Sequence, residues 1–72
     1  METPTPLIEE RLRRLPKEPG VYLFKDAAGR LLYVGKANSL YNRVRSYFQS
    51  RAGQSLKIQL MVPQIADIDY LI

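Results

Sequence analysis

The chain has no cysteine and no histidine. Disulfide bridges, thiolate zinc sites, cysteine nucleophiles and Ser–His triads are therefore excluded. Any proton transfer must run through Tyr, Lys, Asp, Glu or water. A cysteine-free composition fits a reducing cytoplasm, the compartment expected here. No apolar run reaches the roughly 18 residues of a membrane span. The N-terminus, METPTPLIEERLRRLP, has no apolar signal-peptide core, so neither secretion nor a membrane partner is expected.

Acids are missing over more than half of the chain. Between Ala27 and Ala66 there is no Asp or Glu, while Arg30, Lys36, Arg43, Arg45, Arg51 and Lys57 lie in that stretch. The flanks carry a net charge of −2 against +6 for this region. Such segregation points to a polyanion partner, most simply nucleic acid. A solvated basic surface is the plain alternative. At 72 residues, 46% hydrophobic and 25% charged, the chain is one small globular domain.

Local signals order the elements. Thr5 and Pro6 open a short helix as N-cap and first residue, with Ile8, Leu12 and Leu15 on one face. Glu9–Arg13 and Glu10–Arg14 are spaced for ion pairs, and Pro16 closes the helix. PGVYLF and LLYVG are β-rich runs around KDAAGR, which predicts a hairpin. Leu40, Val44, Tyr47 and Phe48 then follow a helical period, with Asn38 or Ser39 as N-cap. RAGQS is a loop. Ile58, Met61, Val62 and Ile65 have helical spacing interrupted by Pro63, which predicts a kink or a fresh start there. DIDYLI alternates as a strand. The order is helix, strand, strand, helix, helix, strand, an α+β chain. A chain ending in an apolar strand is expected to have more sequence packing on it beyond Ile72.

What is plentiful is tyrosine beside cations. GVYLFKDAAGRLLYVGKANSLYNRVRSYF, Gly20 to Phe48, holds four of the five tyrosines. Tyr22 and Tyr33 should form a cross-strand or diagonal pair. Gly35 is expected to end the second strand and allow a tight turn, with Lys36 at that turn. Arg43 and Tyr47 share a helix face. Two phenols, an ammonium and a guanidinium would converge at the helix–sheet border. That group suits chemistry at phosphorus: a guanidinium pairs with developing phosphoryl charge. A phenol near pKa 10 becomes a better base where positive charge lowers that value. Core packing is the plain reading for aromatic residues on a small sheet.

The order GVY (Gly20–Tyr22), YVG (Tyr33–Gly35), Lys36 and Arg43 resembles the GIY-YIG nuclease family. The run YVGKANSLYNRVRSYF is similar to the N-terminal nuclease domains of the bacterial excinuclease subunit UvrC, and the likeness covers roughly residues 12–72. It implies a small three-stranded, mainly antiparallel sheet flanked by helices. It also implies one GIY-YIG-like domain over 1–72, with 1–11 as a leader and the start of the first helix. The implied activity is endonucleolytic cutting of one DNA strand with one divalent cation, Mg²⁺ or Mn²⁺. The implied context is the 3′-side incision of nucleotide excision repair, with a UvrB-like repair subunit as partner of a monomeric full-length protein.

Carried over by position, Tyr33 leads for activating water, with Tyr22 as its neighbour and rival. Arg43 would stabilise the transition-state phosphate. Lys36 would bind phosphate or tune a tyrosine, and Tyr47 would support the site. Lys36, Arg43, Arg45, Arg51 and Lys57 are the expected DNA contacts, and Gly20 and Gly35 backbone positions. The family's metal ligand is a glutamate on a helix after the third strand. None is expected within this chain, so the domain is expected to be C-terminally incomplete, lacking the final helix and inactive alone. Two further readings stay open: a non-catalytic basic nucleic-acid-binding module, and a protein-interaction scaffold.

Overall fold

The computed structural model describes residues 5–49 and 53–72. Helix α1 spans Pro6–Arg14, and the Thr5 hydroxyl accepts the Ile8 N–H at 3.3 Å. This N-cap satisfies one of the first-turn donors that a helix leaves open. Arg14 reaches Glu10 at 3.3 Å, whereas the expected Glu9–Arg13 pair does not form. Ile8 and Leu12 are buried beneath the helix.

Strands β1 (Gly20–Lys25) and β2 (Leu31–Ala37) form the antiparallel hairpin. Its turn is held by Asp26, whose carboxylate accepts the N–H groups of Ala28 and Arg30. Gly29 closes it at φ 81°, a backbone conformation that suits glycine. Helix α2 (Leu40–Gln49) follows, and Ser39 is its cap, accepting the Asn42 N–H. Helix α3 (Leu56–Met61) is capped by Ser55, whose hydroxyl accepts the Ile58 N–H. A separate 3₁₀ turn, Val62–Gln64, begins with Pro63 among its first residues. The fresh start therefore prevails over a kink, because proline's missing N–H costs least in a first turn.

Strand β3 (Asp67–Leu71) pairs antiparallel with β1, giving the sheet order β2-β1-β3. Tyr22, Phe24 and Ile68 join Ile8, Leu12, Leu40, Val44, Tyr47, Val62 and Ile65 in one core. Arg11 ties α1 to β3 through Asp67 at 2.8 Å, and Lys25 pairs with Asp69 at 2.7 Å. Among the described residues no helix is long and apolar enough to cross a membrane.

The strands do not follow the expected turn at Gly35. β2 continues two residues further, to Ala37, with Gly35 inside it opposite Tyr22. A Cβ at Gly35 would run into the ring and hydroxyl of Tyr22. Gly35 is therefore required for close approach and not for turning. Gly20 is similar in kind: a Cβ there would meet the Leu71 carbonyl, and the Leu40 side chain at 2.9 Å.

Candidate nuclease site

Strand alternation sends Tyr22 and Phe24 from β1, and Tyr33 from β2, to the same face of the sheet. Phe24 is the direct cross-strand partner of Tyr33, so Tyr22 and Tyr33 form the diagonal pair, with ring centroids 6.1 Å apart. Helix α2 lays Tyr47 across them, 5.8 Å from Tyr22 and 6.4 Å from Tyr33. Phe24, fully buried, lies beneath all three at 5.2, 6.4 and 5.1 Å. Sequence reasoning missed Phe24. The readable signal was its position two residues after Tyr22, hence on the same strand face.

The hydroxyls of Tyr22 and Tyr47 are 2.7 Å apart and hydrogen-bonded inside the core. Burial, and then the Tyr22 hydroxyl, push the Tyr47 phenol well above its ordinary value. Arg43 pulls in the opposite direction and is outweighed. At Tyr47, desolvation disfavours the buried phenolate more strongly than the nearby guanidinium favours it. Tyr33 is half-buried, and among the described residues its hydroxyl has no hydrogen-bond partner. It is the phenol left available to a water molecule.

Arg43 stands one helical turn before Tyr47, its guanidinium carbon 5.8 Å from that ring centroid. The Tyr22 hydroxyl, followed by Tyr47 and Tyr33, raises its pKa further and keeps it charged. Lys36 alternates with Tyr33 and Gly35 along β2 and so leaves the strand on the other face. It does not converge on the phenols. Lys36 and Arg43 instead share an open groove of about 830 Å³ beside them, lined also by Gly20, Val21, Asn38, Ser39, Asn42 and Ser46. None of the site tyrosines lines this groove.

The remaining expected DNA contacts lie elsewhere. Arg45, two residues after Arg43, turns to the opposite flank of α2 and covers the Tyr41 ring at 5.0 Å, with Lys17 at 5.1 Å from the same ring. Lys57 is exposed on α3, apart from the groove, and Arg51 lies outside the described residues. Asn42 and Ser46 went unnoticed in the sequence. Their spacing of four, beside Arg43, would have placed them on that flank.

No carboxylate lines the groove. Among the described residues there is no group of three or more His, Cys, Asp or Glu side chains able to hold a metal ion. Asp26 is engaged by Arg30, Asp67 by Arg11 and Asp69 by Lys25. The residues present offer phenols, a guanidinium and an ammonium, which fit phosphoryl oxygens; they do not fit a divalent cation.

The family model of the UvrC-like GIY-YIG domain matches residues 18–72. UvrABC system protein C of Symbiobacterium thermophilum is 55% identical over 65 residues, which are 90% of this chain and 10% of that protein. Its counterpart in Prochlorococcus marinus is 52% identical over the same length, again 90% and 10% of the two chains. The chain thus spans about a tenth of the length of these relatives. Among solved structures, the GIY-YIG N-terminal endonuclease domain of UvrC from Thermotoga maritima, bound to its catalytic divalent cation magnesium, superposes with a TM-score of 0.76. It is 32% identical, and the match covers 94% of this chain and 72% of that one.

Proposed function

Because the chain belongs to the UvrC-like GIY-YIG domain family, we propose that it forms the phenol–guanidinium half of a DNA endonuclease site. The substrate is a phosphodiester of one DNA strand, attacked by water. Arg43 pairs with the non-bridging oxygens, where charge accumulates as the phosphorus–oxygen bond forms. Tyr33 takes the proton of the attacking water, and the bond from phosphorus to the leaving sugar oxygen breaks as that oxygen takes a proton from solvent. Tyr22, locked to Tyr47, holds Arg43 and the neighbouring ring in place. Lys36 binds a phosphate along the groove.

The single observation that carries this reading is the packing of three tyrosines around Phe24 with Arg43 alongside. Their spacing supports it. Three structures of the Thermotoga maritima domain carry Tyr→Phe point mutants, at positions ten and fourteen residues apart in turn. Tyr22, Tyr33 and Tyr47 are eleven and fourteen residues apart. That neighbour is bound to its catalytic divalent cation. In our reading the cation needed here is held by a carboxylate from outside the described residues, and it would supply Lewis-acid stabilisation at the phosphate. In the full-length protein this domain would make the 3′-side incision of nucleotide excision repair beside a UvrB-like subunit.

The carboxylate-free groove favours a second reading, a binding module without chemistry. A chimera separates the two. Residues 1–72 would be joined to the part of the Thermotoga maritima domain that this chain does not cover, and nicking of supercoiled plasmid followed with Mg²⁺. The enzyme reading expects nicking that Tyr33→Phe and Arg43→Ala abolish. A folded chimera that binds DNA without nicking it, or nicking that survives both substitutions, would overturn it.

A further inference from the structure

The groove beside Arg43 holds two side chains with no role so far. Asn38 and Asn42 line it together with Lys36 and Arg43, and both are exposed. Among the described residues neither side-chain amide makes a hydrogen bond. The two serines of the groove are committed to backbone: Ser39 Oγ accepts the Asn42 N–H at 3.4 Å, and Ser46 Oγ donates to the Arg43 carbonyl at 2.6 Å.

Helix α2 opens into this groove, and a helix N-terminus ordinarily offers free N–H groups to an anion. Here those donors are already used. The Leu40 N–H donates to the Glu18 carbonyl and the Tyr41 N–H to the Pro16 carbonyl, both at 3.0 Å. Asn42 and Arg43 donate to the Ser39 hydroxyl and carbonyl. An anion in the groove is therefore not held by the first-turn N–H groups of α2. Lys36 and Arg43 supply the charge, and the two asparagines supply neutral donors in a lining that holds no carboxylate.

We propose that Asn38 and Asn42 form a second phosphodiester seat, adjacent to the phosphate that Arg43 takes, so that the groove grips consecutive groups of one nucleic-acid backbone. The proposal rests on the reading of this groove as a DNA surface and deepens it. Amide contacts to phosphate fix the register of a strand without reading its bases. They displace no counterions, unlike Lys and Arg contacts, so they add affinity without adding salt dependence.

The test is fluorescence anisotropy of the chain with two short labelled duplexes of unrelated sequence, across a salt series and without metal. Asn38→Ala/Asn42→Ala should weaken binding roughly tenfold, the scale of a hydrogen bond to a charged group. The loss should be equal on both sequences, with the slope of log affinity against log salt unchanged. Lys36→Ala should lower that slope by about 1. Asn42→Asp, close in size, should lose more than Asn42→Ala because it opposes charge with charge. Circular dichroism confirms that each variant is folded. Unchanged affinity in the double variant, a loss confined to one sequence, or a changed slope would overturn the asparagine seat while leaving the DNA surface standing. No salt-dependent binding by the unsubstituted chain would overturn both.

Discussion

The hydroxyl of Tyr22 on β1 lies 2.7 Å from that of Tyr47 on α2, and both residues are buried in the core. Removing one hydroxyl leaves the other buried without its bond, which costs about 1–3 kcal/mol. Tyr22→Phe and Tyr47→Phe should each lower the unfolding free energy by that order. The double variant should lose less than the two losses combined, because no polar group is then stranded. Urea denaturation of all four forms measures the coupling.

Tyr47 should also resist ionisation. Its folded-state pKa is raised above the unfolded value of about 10. The stability linked to it is therefore complete below pH 10 and is lost as pH rises toward the folded value. Stability should fall steadily above pH 10, and Tyr47→Phe should flatten that decline. Ultraviolet absorbance titration with parallel denaturation at each pH checks the direction.

Gly35→Ala should destabilise the fold by about 1–3 kcal/mol, the usual cost of forcing extra atoms into a packed core. The new methyl group would displace the Tyr22 ring. Loss of the Tyr22–Tyr47 bond should then appear as an altered near-ultraviolet circular dichroism spectrum. Unchanged stability would mean that the strands can separate to admit the methyl group.

At acid pH the relevant contact is Arg11–Asp67. The Arg11 guanidinium holds the Asp67 carboxyl below its ordinary value. Stability from this lowered pKa is present above about pH 4 and is lost as pH falls through the folded value. The side chains are 39% and 34% exposed, so solvent screening keeps the effect small. Asp67→Asn should lower the urea midpoint slightly at neutral pH and make no difference near pH 2.

A Mn²⁺ titration followed by residue-resolved NMR should show no selective broadening at Tyr33, Lys36 or Arg43, because among the described residues no cluster of carboxylates could hold a cation and none lines the groove. Broadening confined to those residues would reveal a cation site and overturn the assignment of the carboxylate to another segment.

Much of this architecture is local and was legible for that reason. Thr5, Ser39 and the turn around Asp26 act within four residues of themselves. The stripe Leu40, Val44 and Tyr47 declares its helix by period alone. Gly35 was misread because its constraint comes from Tyr22, thirteen positions away and visible only once strand register is known. Lys36 was misplaced for a related reason: its neighbour in sequence, Gly35, faces the Tyr22 ring while Lys36 does not. The raised Tyr47 phenol was not legible either, because burial cannot be read from charge spacing.

The order β2-β1-β3 also has a consequence for how the domain is made. The hairpin can close as soon as Ala37 has left the ribosome, bringing Tyr22 and Tyr33 together. β1 nevertheless keeps one row of unpaired backbone groups until Asp67–Leu71 arrive to cover them. A nascent or clipped chain ending before Asp67 would expose that row beside an apolar cluster. Such an edge is a template for pairing with another copy of the chain. β3, made after β1, is thus the guard on it.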